Sequence, residues 1–233
     1  DVYKRQNWYF PNFFPNDLNI ENFLNFYYQN KSLILISIFI PLMVSLLSIS
    51  LIILWVELLD YLKITKTQFE WIIFTPLFIP QISFLIGIQS FMIFFNFNSF
   101  LIPLIFVQLF YVIPYCFIVL APAMREVKSD YIKVASSLGK NRIVRLFKIK
   151  IPLVLPSLMT SFAIGMIVSF ALYVPVYFIG AGRVTTLTVE ALNLALSGSK
   201  QDLGIATFFQ ILFPTLLLFT VAYINRKTVK WQI

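Results

Sequence analysis

The sequence predicts an all-α membrane protein, a polytopic bundle of spanning helices, on three observations. Hydrophobic residues make up 59% of the 233-residue chain and charged residues only 12%, against about 25% charged in an average globular protein. Mean hydropathy is +0.84. The charged residues fall into clusters, separated by long uncharged intervals that run continuously apolar rather than alternating, which excludes a β-barrel. In lipid, a helix satisfies its own backbone, so continuous apolar runs read as helices.

The intervals place the spans. They extend from Ser32 to Val56, Trp71 to Met124, Ile151 to Gly182 and Leu203 to Asn225. One span needs about 20 residues, so the second interval holds two, broken at Asn96-Phe97-Asn98-Ser99. Five spans are predicted, near 33–56, 71–95, 100–124, 155–179 and 204–224. Many prolines lie within or beside them, Pro41, Pro80, Pro114, Pro156 and Pro175 among them. Each is a candidate kink, tolerated where neighbours re-satisfy the freed carbonyl.

Orientation follows from the basic residues. The segment 125–150 carries Arg125, Lys128, Lys133, Lys140, Arg142, Arg145, Lys148 and Lys150 against only Glu126 and Asp130. The tail adds Arg226, Lys227 and Lys230. Two spans separate these segments, so both lie on one side, and the positive-inside bias makes it the cytoplasm. The loops 57–70 and 180–203 are then inside and outside respectively, and residues 1–32 form an extracytoplasmic segment ahead of the membrane domain 33–233. With that outside N-terminus and Asp1 in place of an initiator methionine, a first span is expected upstream.

The inventory narrows the function. There is no histidine, and the single cysteine, Cys116, lies in an apolar run. No metal site, internal disulfide or intramembrane nucleophile–base pair is expected, so no catalytic residue is assigned. No span contains Asp, Glu, Lys or Arg, the groups that usually carry a coupling ion in secondary transporters. The polar residues in the spans include Gln81, Gln89, Gln108, Tyr111, Ser161 and Ser169. Most such groups bond to neighbouring helices rather than line a path.

Residues 125–152 are the most informative stretch. Val127, Tyr131, Val134, Ala135 and Leu138 recur at helical spacing on one face. Ser129 or Asp130 is placed to cap that helix and Gly139 to end it. Asn141 is placed to cap a second helix, 142–149, ending before Pro152. By periodicity alone the pair could lie on anionic lipid or be an ordinary basic loop. It is too short for a DNA-binding helix–turn–helix unit with its supporting helix, so no nucleic-acid partner is expected.

Spacing adds a resemblance. Ala135, Gly139, Ile149, Ile151 and Pro152 stand as A-x-x-x-G, nine residues, I-x-I-P. This resembles the cytoplasmic loop signature of binding-protein-dependent ABC importer permeases, written EAA, three residues, G, nine residues, I-x-L-P. Lys133 stands at the family's glutamate, Val134 at its first alanine and Ile151 at its leucine. Asp130, one turn earlier, is a candidate substitute for that glutamate. The external segment 178–190, FIGAGRVTTLTVE, and the outer stretch FPNFFPNDLNIENF resemble parts of permeases in the iron(III), thiamine and polyamine importer group, most closely the second half of a fused permease.

The resemblance implies a type I ABC importer permease fold and a coupling helix, the first of the two short helices, docked on an ABC ATPase subunit. It also implies an extracytoplasmic solute-binding protein, a second permease domain (fused or separate) and a place in the bacterial inner membrane. ATP and Mg would be bound by the partner, because the chain has no P-loop: five residues before Gly139-Lys140 stands Val134, not glycine. Gly180 and Gly182 are candidates for an external gate, or simply turn glycines. An ATP-independent carrier or channel is the alternative.

Overall fold

The computed structural model describes residues 20–62, 70–95, 99–127 and 129–229. Among them every regular element is helical. A short amphipathic helix, α1 (Ile20–Gln29), precedes α2 (Lys31–Leu62). The second apolar stretch forms α3 (Trp71–Phe78) and α4 (Gln81–Phe94), and the third forms α5 (Leu101–Glu126). The basic segment holds α6 (Ser129–Ser137), α7 (Arg142–Arg145), a π-helical turn (Leu146–Lys150) and α8 (Ile151–Leu153). The remainder is α9 (Leu155–Ala171), α10 (Tyr173–Gly180), α11 (Leu187–Ser197) and α12 (Lys200–Val229).

Three of these, α2, α5 and the Asp202–Lys227 stretch of α12, are long and apolar enough to cross a membrane as single helices. The 32 residues of α2 reach about 48 Å at 1.5 Å per residue, well beyond a hydrocarbon core of about 30 Å. Nothing between Glu57 and Leu62 breaks the helix, so it continues six residues past the apolar run that predicted it.

The other two predicted spans are bent, and proline is the cause. The 71–95 stretch turns by 96° between α3 and α4. Ile79, directly before Pro80, is extended at φ −81°, ψ 130°, because the pyrrolidine ring disfavours the helical conformation in the residue it follows. The 155–179 stretch breaks at Leu172 (φ −74°, ψ 91°). A continued helix would drive the Pro175 ring against the Ala171 carbonyl, whereas the first turn of α10 accepts it. Pro41, Pro76, Pro114, Pro122 and Pro214 lie inside helices that continue through them.

The core is a three-helix contact of α2, α5 and α9. Ile40, Val44, Ile52, Val56, Leu104, Val107, Leu120 and Met124 fill it. Where the helices approach most closely the residues are small. A β-carbon on Gly165 of α9 would stand 2.8 Å from Cys116 Sγ on α5 and 3.1 Å from Ser45 Cβ on α2. Beside it the Cys116 thiol donates to the Ser161 carbonyl at 3.4 Å, and the Ser161 hydroxyl donates to the Cys116 carbonyl at 3.1 Å. Small residues and reciprocal polar contacts suit helices whose surroundings are as apolar as their own side chains. Gln108, only 1% exposed, accepts from the Ser169 hydroxyl at 2.5 Å and joins α5 to α9 in the same way.

A second, smaller cluster binds α1, the start of α2, α11 and α12 through Phe26, Leu33, Ile34, Leu187, Ala191, Ile205 and Ala206. The predicted 180–203 loop is therefore not plain loop. Its α11 buries Leu187, Val189 and Ala191. The N-terminus of α11 is held from across the fold: Thr186 supplies no side-chain cap, and the Leu187 amide donates to Ser37 Oγ at 2.8 Å while that hydroxyl donates to the Leu33 carbonyl. Ser37→Ala is expected to cost about 1 kcal/mol, the usual loss on removing a helix cap. Hydrogen exchange at the amides 187–190 should speed up while the α2–α5–α9 core keeps its protection.

Candidate functional site: the basic end of the bundle

Contacts between elements sort the two ends of the bundle as the charge pattern expects. At one end Arg125 pairs with Glu70, the 57–62 turn of α2 meets the basic segment, and Asn225 near the end of α12 donates to the Pro156 carbonyl at 3.3 Å. At the opposite end Arg183 sits 4.4 Å over the Phe100 ring, and Phe26 of α1 stacks on Phe209. The segments 57–62 and 125–150 and the end of α12 thus share a side, and it is the side the basic residues assign to the cytoplasm.

Within the basic segment, α6 forms where the 3.6-residue spacing placed it. It ends at Gly139, whose φ of +72° is open to glycine without the strain a β-carbon adds. The Gly139 amide donates to the Ser136 carbonyl at 2.9 Å and the Lys140 amide to the Ala135 carbonyl at 3.1 Å. This is the Schellman closure of a helix end, and it makes Ala135 and Gly139 partners in one turn.

Four local expectations are corrected. Val127 lies outside α6, extended at ψ 116° as the cap of α5. It packs on the main core instead. Ser129 and Asp130 do not precede α6 but are its first two residues. Asn141 has the extended backbone of an N-cap but its side chain makes no capping bond. The second helix does not stop before Pro152: it widens into the π turn and runs on to Leu153, then bends by 79° into α9. The wide turn relieves the clash between a proline ring and the carbonyl four residues earlier.

The predicted apolar face divides in two. Ala135 is buried, but Val134 is 61% and Leu138 71% exposed, with Tyr131 exposed beside them. Ile143 and Phe147 are likewise exposed. The basic end therefore presents an apolar surface that nothing among the described residues covers. Of the motif residues, Ile149 and Ile151 are half-buried along the second helix and Pro152 is exposed. Asp130 and Lys133 lie on α6 by their backbone, and their side chains fall outside the described residues.

Beneath this surface is a set of charges whose importance the sequence reading missed. Lys150 is only 5% exposed. Its Nζ donates to Glu57 Oε1 at 2.5 Å and to Asp60 Oδ2 at 2.8 Å. Arg142 Nε donates to Glu57 Oε2 at 3.2 Å, a second guanidinium nitrogen donates to the Glu57 backbone carbonyl, and the group lies 5.1 Å over the Tyr61 ring. Beside these a cavity of about 230 Å³, lined also by Ile132, Arg145 and Leu146, separates the ion pairs from α6. Glu57 and Asp60 stand three apart directly after an uncharged run. Once α2 is continued past its apolar stretch they share a helix face, the available signal for this cluster.

Gly180 and Gly182 lie in the turn that closes α10. The Gly180 carbonyl accepts from the Arg183 amide at 2.8 Å, Gly182 has a φ of +75°, and Ala181 between them is left-handed at φ 45°.

Three comparisons place this architecture. A family profile described as "Binding-protein-dependent transport system inner membrane component" matches residues 31–229. The Inner membrane ABC transporter permease protein YnjC of Escherichia coli (strain K12) is 27% identical over 197 residues, covering 84% of this chain and 37% of that protein. The chain therefore spans well under half the length of that relative. A solved structure described as "Crystal structure of an amino acid ABC transporter with histidines" superposes with a TM-score of 0.61 at 14% identity, over 91% of this chain and 99% of that one, a likeness of fold. Apolar helices joined by a basic segment, matched along almost their whole length by that profile, identify the chain as a member of the binding-protein-dependent transport system inner membrane components: a multi-pass, non-enzymatic permease of an ABC transporter.

Proposed function

We propose that the chain is the permease domain of an ATP-driven importer, passing a small solute from an extracytoplasmic binding protein across a bacterial inner membrane. The observation that carries this reading is the uncovered apolar surface of Tyr131, Val134 and Leu138, built on a glycine-closed helix at the basic end of the bundle. A surface of this kind, rimmed by charge, is a docking site for another protein. The ABC ATPase subunit takes that place, binds ATP and Mg itself, and moves α6 as its own subunits close.

The bundle then tilts between outward-open and inward-open states. A second permease domain completes the pathway. It is either fused, in keeping with the 37% coverage of YnjC, or separate. The start of α2 faces outside; of the extracytoplasmic segment 1–32, residues 1–19 lie outside the described residues. The turn at Gly180 and Gly182 serves the external gate.

Purification of the native full-length protein in mild detergent, with mass spectrometry of its companions, tests the reading. A P-loop ATPase should co-purify, and a solute-binding protein should join it when ATP turnover is trapped with vanadate. A well-folded protein that brings down no ATPase would favour the ATP-independent carrier or channel.

A further inference from the structure

We infer that Glu57 is a positioning residue that makes α2 follow the coupling segment, a role that rests on the importer reading and specifies how motion leaves α6. The chain itself links the basic segment to two of the three core helices. It enters from α5 and leaves into α9. The third, α2, has no covalent link to this segment, yet it packs against both α5 and α9 along the core. At its cytoplasmic end the connection is made by side chains. Glu57 takes Lys150 and Arg142 on its carboxylate and Arg142 again on its carbonyl, while Asp60, one turn on, takes Lys150.

Two features make this a clamp rather than an incidental surface pair. Lys150 is buried, and a buried ammonium holds its place only while its carboxylate partners stay with it. The Arg142 guanidinium reaches both the side chain and the backbone of one residue and rests on Tyr61, so it fixes the helix and not merely a flexible carboxylate. Between Ile132 of α6 and Glu57, Asp60 and Tyr61 of α2 lies the cavity. A push on α6 therefore reaches the end of α2 through α7 and the π turn, by way of Glu57.

The test places spin labels on introduced cysteines at Leu62 of α2 and Phe147 of the π turn, both exposed. Cys116 is buried and is the only cysteine in these 233 residues, and a preparation without the introduced pair sets the labelling background of the complex. The distance is measured in the complex with its co-purified ATPase, in nanodiscs, nucleotide-free and vanadate-trapped. With the clamp intact the distance should change by less than about 2 Å, the scale of small helix shifts within a packed unit. In the double variant Glu57→Gln, Lys150→Met, which strands no buried charge, it should broaden and move by more than that on trapping, with ATPase binding retained. Glu57→Asp, which keeps the charge on a shorter arm, should fall between and serves if the double variant folds poorly.

A variant distribution that stays narrow and fixed while ATP is hydrolysed would overturn the clamp alone. So would a native distance that changes by several ångström on trapping. A preparation containing no ATPase would overturn the importer reading, and the clamp's role in it as well.

Discussion

Leucine at position 165 is expected to destabilise the bundle by about 3 kcal/mol or more, at the upper end of overpacking costs. It should be recovered mostly as aggregate when detergent extracts are run on a sizing column. The physical reason is local. Even a single added carbon would meet Cys116 Sγ at 2.8 Å and Ser45 Cβ at 3.1 Å, and both neighbours belong to helices fixed by their own packing. Gly87→Leu is the control. A β-carbon there meets nothing within 4 Å, and that chain should extract and migrate as the native protein does. Equal behaviour of the two variants would mean that α2, α5 and α9 do not approach as described.

Glutamate at both Val134 and Leu138 is expected to weaken ATPase binding at least about 100-fold, since loss of two apolar anchors at an interface exceeds the 2.7 kcal/mol this represents. Both side chains are exposed, so the permease should extract and melt as before. The comparison therefore separates docking from folding. Affinity of the purified ATPase for the permease in nanodiscs gives the number. Unchanged affinity would remove this surface from the coupling site.

Most of the architecture was legible in the sequence, because a bilayer imposes a length and an apolar composition on anything that crosses it. The uncharged intervals located the membrane segments. Span parity put 57–70 and 125–150 at one end, and the Arg125–Glu70 and Lys150–Glu57 pairs join them there. What hydropathy could not supply was straightness. The 71–95 and 155–179 runs are as apolar as the others, and every one of the five runs contains proline. Pro80 interrupts its run, which turns by 96°, while Pro114 sits inside a continuous helix, so a proline in the sequence does not by itself mark the run that bends.

The site was legible in part. The helix end at Gly139 falls where the spacing placed it, with a positive φ and a Schellman closure onto Ala135. The charge cluster escaped because its members lie far apart in sequence: Glu57 and Lys150 are separated by 93 positions. Lys150 looked like one more basic residue in a positive loop, and its burial is a tertiary fact. Ser37 is similar. A serine in an apolar run carries no mark that it will cap a helix 150 residues on.

Photo-crosslinking in native membranes asks whether this permease is driven by an ATPase seated on α6. A benzophenone amino acid would replace Leu138, with Phe219 of α12 as the control position, both exposed on the chain. Leu138 should give an adduct that mass spectrometry identifies as a P-loop ATPase, and Phe219 should give none. A Leu138 probe that yields only lipid adducts or unreacted protein, in a chain that is correctly inserted, would contradict that seating.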